Sequence, residues 1–445
     1  MSKLQLPIDS NLLSEKFLFG VATSSFQIEG DSEGRNESIW DVFCRKDGAI
    51  ADQSNGHLAC NHINLWQGDV NLLSELGVDA YRLSLSWPRL VDADGSLRAD
   101  GIAFYDNLID ALLARGIKPF VTFYHWDLPQ YLEDKGGWLN RSTAYAFRDY
   151  VEKVSDVLGD RVYAYATLNE PFCSAYLGYE NGTHAPGRTG QANGRNAAHH
   201  LLLAHGLAMQ VLNKSCPNSH NGIVLNFTPC YPESDSEQDV QATRYADEYI
   251  NQWYLKPVME GRYPDIINLI PEANRPDIQD GDMAIINTAI DYLGVNYYTR
   301  LKYRASKDGL YEEIQPQDVT VTDMGWEVYP SGLTELLVSL NKQYRLPPIY
   351  ITENGAATAD QIENERIDDI ERLDYLNAHL NAVHNACAQG VDIRGYFAWS
   401  LMDNFEWAEG YLKRFGLVYV DYDTQKRTIK NSGLAYGDLL KSRRI

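Results

Sequence analysis

Two glutamates, Glu170 and Glu353, each close an apolar run of this 445-residue sequence. A carboxylate in such a place is costly unless it is paired or solvated. Two carboxyl groups that face each other across a pocket can hydrolyse a glycosidic bond. One protonates the leaving oxygen, and the other attacks the anomeric carbon or activates water. A structural ion pair would explain either glutamate alone, but the two together favour a hydrolytic site.

Other residue types suit the same chemistry. Arg82 and Tyr298 offer a guanidinium and a phenolic hydroxyl, both of which stabilise an ionised carboxylate, although a structural salt bridge explains Arg82 equally well. A sugar needs aromatic surfaces for its C–H faces and fixed polar groups for its hydroxyls. The aromatic candidates are His125, Trp126, Trp399 and Trp407, and the polar candidates are Gln27, Asn169 and Glu406.

The elements that must position these residues are eight short apolar runs that alternate with amphipathic helical patterns. Several runs are almost continuously apolar, as strands covered on both faces are. Gly116 and Gly390 lie where helices would end before the next strand. The predicted strands are Phe17–Ala22, Ala80–Ser84, Lys118–Tyr124, Tyr165–Asn169, Ile223–Phe227, Tyr292–Asn296, Ile349–Glu353 and Gly395–Ser400.

This alternation predicts a parallel (β/α)₈ TIM barrel, formed as one domain over residues 1–445 with long loops at the C-terminal face of the strands. A doubly wound open sheet would carry G-x-G-x-x-G after its first strand, and none occurs there. Chemistry in a barrel lies at the C-terminal ends of the strands. Polar and aromatic residues follow nearly every predicted strand, which supports the barrel.

Composition excludes several classes of partner. The formal net charge is −22, which disfavours nucleic acid and anionic membranes. No signal peptide or run of about 18 apolar residues is visible, and the six cysteines are scattered, so we expect a cytoplasmic protein with free thiols.

His199, His200 and His205 lack metal-site spacing, and P-loop and serine-hydrolase motifs are missing. We expect neither metal nor cofactor; the oligomeric state stays open.

The motifs in order resemble those of glycoside hydrolase family 1, the β-glucosidase family, over nearly the whole chain. The segments that carry the resemblance are FLFGVATSSFQIEG (17–30), DAYRLSLSWPRL (79–90), VTFYHWDLPQ (121–130), TLNEP (167–171), LGVNYYTR (293–300), YITENG (350–355) and YFAWSLMDNFEWAEGY (396–411).

The resemblance implies a retaining mechanism with Glu170 as general acid/base and Glu353 as nucleophile. It implies hydrolysis of terminal non-reducing β-D-glucosyl residues, with β-D-galactosyl and β-D-fucosyl residues left open, from β-glucosides and short oligosaccharides such as cellobiose. Further roles follow by matching positions. Arg82, Asn296 and Tyr298 would surround the nucleophile; Gln27, His125, Trp126, Asn169, Trp399, Glu406 and Trp407 would bind the non-reducing sugar; Phe172, Asn226 and Trp326 would line the leaving-group side.

Three alternatives have testable signals in the sequence. Thioglucosidases have glutamine where this chain has Glu170. Phospho-β-glycosidases lack the acid at the position of Glu406, which would repel a 6-phosphate, although Lys413 and Arg414 nearby could contact one. A non-catalytic sugar-binding barrel would be expected to lose one of the two carboxylates. Phe172 stands where relatives often have Trp, so the preferred leaving group stays open.

Overall fold

The computed structural model describes residues 3–363 and 366–443, so positions 1–2, 364–365 and 444–445 of the predicted domain range lie outside the described residues. Eight parallel strands form a closed barrel, which confirms the predicted fold. The barrel strands are β1 (Leu18–Ala22), β2 (Ala80–Ser84), β3 (Lys118–Tyr124), β4 (Ala164–Asn169), β5 (His220–Asn226), β6 (Tyr292–Asn296), β7 (Ile349–Asn354) and β8 (Ile393–Trp399).

The barrel closes because β1 pairs with both β2 and β8. Val21 of β1 is in register with Tyr81 on one side and with Ala398 on the other. Because all eight strands are parallel, their carboxyl ends emerge on one face. The register therefore brings the residues at the ends of distant sequence segments to one rim: Glu353 of β7, for example, pairs with Asn296 of β6.

Helices follow the strands, as the alternating pattern of the sequence predicts. Gly116 and Gly390 adopt φ of +72° and +89° just beyond two helices, a backbone that favours glycine. The α-helices span Ser25–Ile28, Ile39–Phe43, His62–Leu76, Trp87–Leu90, Ala99–Leu113, Gln130–Glu133, Ser142–Leu158, Gln191–Ser215, Glu237–Asp247, Trp253–Glu260, Asp282–Ile286, Pro330–Gln343, Ile370–Ala388 and Asn431–Ser442. Two segments are π-helices: the nine residues Cys173–Asn181, which follow β4, and the segment Glu248–Gln252.

One helix is hidden by its polarity. The stretch around 233–239 reads from the sequence as a surface excursion, but the helix Glu237–Asp247 begins there, and Ser236 caps it by accepting from the Asp239 backbone N–H. Its buried residues are small or polar, namely Ala242, Thr243 and Ala246, so the helix lacks the large apolar residues that mark other helices in the sequence.

The barrel interior is filled by a separate apolar cluster from strands around the barrel. Phe120 of β3 packs against Phe397 of β8 and Tyr350 of β7, with ring centroids 4.7 and 5.3 Å apart. The same cluster includes Trp399 at the end of β8, and Tyr298 packs against the cluster. This packed interior is the floor on which residues at the strand ends rest.

The loops at the carboxyl ends are long and are tied down by buried charges. Lys430, fully buried, donates to Asp360 and, at 2.6 Å, to Asp403, so it joins the loop after β7 to the loop after β8. Arg414 also donates to Asp403 at 2.7 Å. Short strands brace these loops: Cys230–Pro232, Leu301–Arg304 and Glu312–Ile314 in one sheet, Ile362–Glu363 with Arg366–Ile367, and Val418–Val420 with Arg427–Ile429.

None of the helices in the described ranges is long and apolar enough to cross a membrane.

Candidate active site

A cavity of about 570 Å³ opens at the carboxyl ends of the strands, and both Glu170 and Glu353 line it. Its volume is in the range of small-molecule sites. Most of the candidate residues from the sequence line the same cavity, whereas Arg82, Gln27 and Asn169 are buried behind its wall. The other candidates in the lining are His125, Trp126, Phe172, Asn226, Asn296, Tyr298, Trp326, Trp399, Glu406 and Trp407.

Glu353, at the end of β7, is held by one donor on each carboxylate oxygen. Arg82 Nη1 donates to Oε1 at 2.6 Å, and the Tyr298 hydroxyl donates to Oε2 at 2.7 Å. Arg82 is 2% exposed and Glu353 is 3% exposed, so water screens this ion pair poorly. Two charge-assisted bonds orient the carboxylate and stabilise its negative charge.

Glu170 immediately follows β4 and has φ of +47°, in the left-handed region that non-glycine residues rarely occupy. Asn296 Nδ2 donates to its Oε1 at 2.6 Å. Burial raises the pKa of Glu170 to about 7, and the negative charge of Glu353 adds to the effect. A carboxyl group with this pKa can be a proton donor near neutral pH.

Asn169 connects the surroundings of the two glutamates from behind the cavity wall. Its Oδ1 accepts from Arg82 Nη2 at 2.7 Å and from Asn296 Nδ2 at 3.1 Å. Because its oxygen is engaged with these donors, its Nδ2 faces His125 Nε2, 3.1 Å away. Burial, with a smaller effect of the Arg82 charge, holds the pKa of His125 well below its usual range, so the ring nitrogen is free to accept.

A third carboxyl group, Glu406, belongs to the loop after β8. Gln27 Nε2 lies 3.4 Å from Glu406 Oε2 and also donates to the Asn404 side chain at 2.9 Å. Burial raises the pKa of Glu406 to about 8, and the charges of Glu353 and Glu170 contribute. The cavity therefore presents carboxyl oxygens able to bind hydroxyl groups at two separate places.

The aromatic candidates form one continuous wall. The ring of His125 stacks between Trp399 and Trp407, with centroids 5.8 and 5.9 Å away. Trp126 contacts Trp407 at 4.7 Å, and its Nε1 donates to the Asn169 backbone oxygen at 3.0 Å. Trp126 and Trp407 both have positive φ, 82° and 49°. The flat surfaces suit the C–H face of a sugar ring.

The three leaving-group candidates, Phe172, Asn226 and Trp326, all line the cavity. Phe172 stacks on Tyr176 with centroids 5.0 Å apart. Trp326 packs against Tyr298 at 5.4 Å and against Phe415 at 6.2 Å. Sequence reasoning missed Phe415 and Met324, which also line the cavity. Met324 lies in a polar loop, where periodicity gives no signal.

Cys173 and His184 are among the other lining residues that sequence reasoning missed. Cys173, three residues after Glu170, places its Sγ 3.1 Å from Glu170 Oε2. The spacing of one helical turn was a usable signal, because Glu170 precedes a helix. His184 also lines the cavity beside Trp126, with ring centroids 5.6 Å apart.

The basic residues near Glu406 are engaged elsewhere. Lys413 donates to the Asp323 backbone oxygen at 2.6 Å, and Arg414 donates to Asp403. Neither lines the cavity. Within residues 3–363 and 366–443, no group of three or more His, Cys, Asp or Glu side chains is placed to hold a metal ion.

A TIM barrel with two glutamates at the ends of its fourth and seventh strands, in one cavity with aromatic walls, defines a glycoside hydrolase by class. Comparison with known proteins gives the family. The profile described as glycosyl hydrolase family 1 matches residues 9–445, and the chain belongs to this family.

Similar proteins cover almost the full chain. A curated β-glucosidase of Agrobacterium sp. is 45% identical over 97% of this chain and 96% of its own length. A bifunctional β-D-glucosidase/β-D-fucosidase of Bifidobacterium breve is 42% identical over 94% of this chain and 95% of its own. The crystal structure of the family 1 β-glucosidase of Thermotoga maritima has a TM-score of 0.93 at 40% identity and covers 100% of this chain and 99% of that one.

Proposed function

We propose that this protein is a retaining β-glucosidase that removes terminal non-reducing β-D-glucosyl residues from β-glucosides and short oligosaccharides. The observation that carries the proposal is that Glu170 and Glu353 line one cavity and are joined by hydrogen bonds through Arg82, Asn169 and Asn296. Relatives named as β-glucosidases support the substrate class, and the Bifidobacterium relative supports testing β-D-fucosides as well.

In the proposed cycle, Glu353 attacks the anomeric carbon while Glu170 donates its proton to the leaving oxygen. A covalent glycosyl-enzyme forms and the leaving group departs as an alcohol. Glu170, now a carboxylate, then removes a proton from water, which displaces Glu353 and releases the sugar. The arrangement fits these roles, because Glu353 receives a guanidinium and a phenol, whereas Glu170 has the raised pKa that a proton donor needs.

The remaining site assignments are part of the same proposal. Trp126, Trp399, Trp407 and His125 would hold the non-reducing sugar with Gln27, Asn169 and Glu406, while Phe172, Asn226 and Trp326 would contact the leaving group. The phosphorylated-sugar alternative is disfavoured, because Glu406 lines the cavity while Lys413 and Arg414 do not. Residues 1–445 forming one catalytic domain, and a cytoplasmic location, stay predictions.

The test uses azide rescue of two matched variants with a nitrophenyl β-glucoside. In Glu170→Ala the glycosyl-enzyme still forms with a good leaving group, and azide should attack it to give the β-glycosyl azide. In Glu353→Ala azide should replace the missing nucleophile and give the α-glycosyl azide. We expect Glu170→Ala to lose about 10²–10⁴-fold in activity on poor leaving groups and less on good ones.

An α-glycosyl azide from Glu170→Ala would refute the retaining assignment. Full turnover by Glu353→Ala without azide would refute its role as nucleophile. Binding of the wild-type protein to β-glucosides without hydrolysis would instead favour the non-catalytic sugar-binding barrel.

A further inference from the structure

Cys173 lines the cavity, and neither the sequence analysis nor the proposed cycle gives it a role. It begins the π-helix that follows Glu170, and its backbone N–H donates to the Glu170 carbonyl oxygen at 2.9 Å. This turn brings its Sγ to 3.1 Å from Glu170 Oε2, well inside the range of a thiol hydrogen bond. Cys173 thus contacts the carboxyl oxygen opposite to the one that Asn296 holds.

The thiol is a hydrogen-bond donor throughout the working pH range. Burial raises the pKa of the Cys173 thiol well above its usual range, and the neighbouring Glu170 raises it further. The group is therefore not a thiolate nucleophile. It can donate its S–H to a carboxylate, and its sulfur can accept weakly when Glu170 carries a proton.

The charged and titratable groups around Glu170 come from several strands and loops. Glu353 of β7 and Arg82 of β2 act on it with opposite signs, and Cys173 and Asn296 are its direct donors. Tyr298 and Glu406 also face this pair of glutamates. Among these groups Cys173 is a neutral donor that can be replaced without changing the charge of the site.

We propose that Cys173 is a positioning residue whose thiol donates to Glu170 Oε2 and stabilises the carboxylate that activates water in the second displacement. This inference rests on the proposed function. An alkyl side chain at this position would leave Oε2 without this donor while Glu170 acts as base. A hydroxyl would donate more strongly and favour the carboxylate more, so Glu170 would less often carry the proton that the first displacement needs.

The test compares Cys173→Val, which removes the donor, with Cys173→Ser, which keeps one. For Cys173→Val we expect the alkaline limb of kcat/KM to move to higher pH, with the acid dissociation constant of Glu170 falling about three- to tenfold. We expect the acid limb of deglycosylation, measured as kcat with dinitrophenyl β-glucoside, to move to higher pH by a similar factor. Cys173→Ser should keep the limb at the wild-type pH or move it lower.

A matched control is Cys230→Val. Cys230 is half-buried, and its thiol contacts the Thr228 carbonyl oxygen at 3.4 Å rather than either glutamate. This variant should leave the pH profile unchanged. Thermal unfolding of all three variants separates packing effects from the electrostatic effect, because lost packing lowers the melting temperature without moving the alkaline limb.

Equal alkaline limbs in wild type, Cys173→Val and Cys173→Ser would overturn the inference, as would equal shifts in both variants. Failure of the proposed function has a different signature, since the wild-type protein would then not hydrolyse the aryl glucoside at all. Hydrolysis with an unmoved limb refutes the role of Cys173 alone.

Discussion

The proton affinity of Glu170 should fall when Glu353 loses its charge, because that charge is the second cause, after burial, of its raised pKa. The perturbation is to trap Glu353 as an ester with a 2-deoxy-2-fluoroglucosyl fluoride. Carboxyl groups of retaining enzymes lie about 5–5.5 Å apart. At an effective dielectric constant of about 20, two such charges repel by roughly 3 kcal/mol. This energy corresponds to about a hundredfold change in an acid dissociation constant.

Two assays follow the same proton. In the free enzyme, kcat/KM for an aryl β-glucoside should fall as the pH rises through about 7, because Glu170 then loses the proton it must donate. Carbon-13 NMR of glutamate-labelled protein, with the Glu170 signal assigned from Glu170→Gln, should show its pKa falling toward the ordinary value of 4.5 once Glu353 is esterified. Glu353→Gln removes the charge without the sugar and should act in the same direction. If Glu170 titrates at one pH in all three states, the coupling argued from the structure is wrong.

Three further substitutions test other parts of the structure. Tyr298→Phe removes the 2.7 Å bond to Glu353 and should lower the glycosylation rate in single-turnover kinetics by about 10–100-fold, the effect of losing a hydrogen bond to a charged group; an unchanged rate would contradict this role. Phe172→Ala should raise KM for aryl glucosides several-fold and leave deglycosylation unchanged, because the leaving group has departed before deglycosylation. Equal slowing of glycosylation and deglycosylation would contradict a contact between Phe172 and the leaving group. Burial raises the pKa of Asp127 to about 8 from 3.8, so the folded state holds a proton that the unfolded state releases and the free energy of unfolding should fall as pH rises between these values. Asp127→Asn should make this fall smaller when urea unfolding is compared at pH 5 and pH 8, and an equal fall in the free energy of unfolding of both proteins would refute it.

The positions of the site residues along the barrel could be predicted from sequence because strand ends are visible as pattern breaks. The predicted strand before Glu170 ends at Asn169, as β4 does, and the predicted strand that ends at Glu353 stops one residue before the end of β7. A parallel barrel brings all such ends to one face, so a local sequence pattern predicts that residues distant in the chain lie close together. The indole and imidazole groups after β3 and β8 were found by the same argument.

Depth within the site could not be predicted, because a residue's place at a strand end does not say on which side of the cavity wall its side chain lies. Gln27 is predicted to contact sugar, and its side chain is fully buried and donates to Asn404. Asn169 likewise turns toward Arg82 and Asn296. Their direct contact with substrate stays a prediction. The left-handed backbone at Glu170 carries no sequence signal either, since glycine is absent there.

Both glutamates follow an apolar strand in the sequence, and in the structure they differ in the hydrogen-bond donors to their carboxyl groups. Glu353 receives a buried guanidinium and a phenolic hydroxyl, which orient its carboxylate. The donors that the described residues give to the Glu170 carboxyl group are a neutral amide and a neutral thiol. Burial and the nearby charge of Glu353 raise the pKa of Glu170 to about 7, so Glu170 can change protonation near neutral pH. The assignment of nucleophile and acid/base therefore follows from what surrounds each carboxyl group, and exchanging the two environments should exchange the two roles.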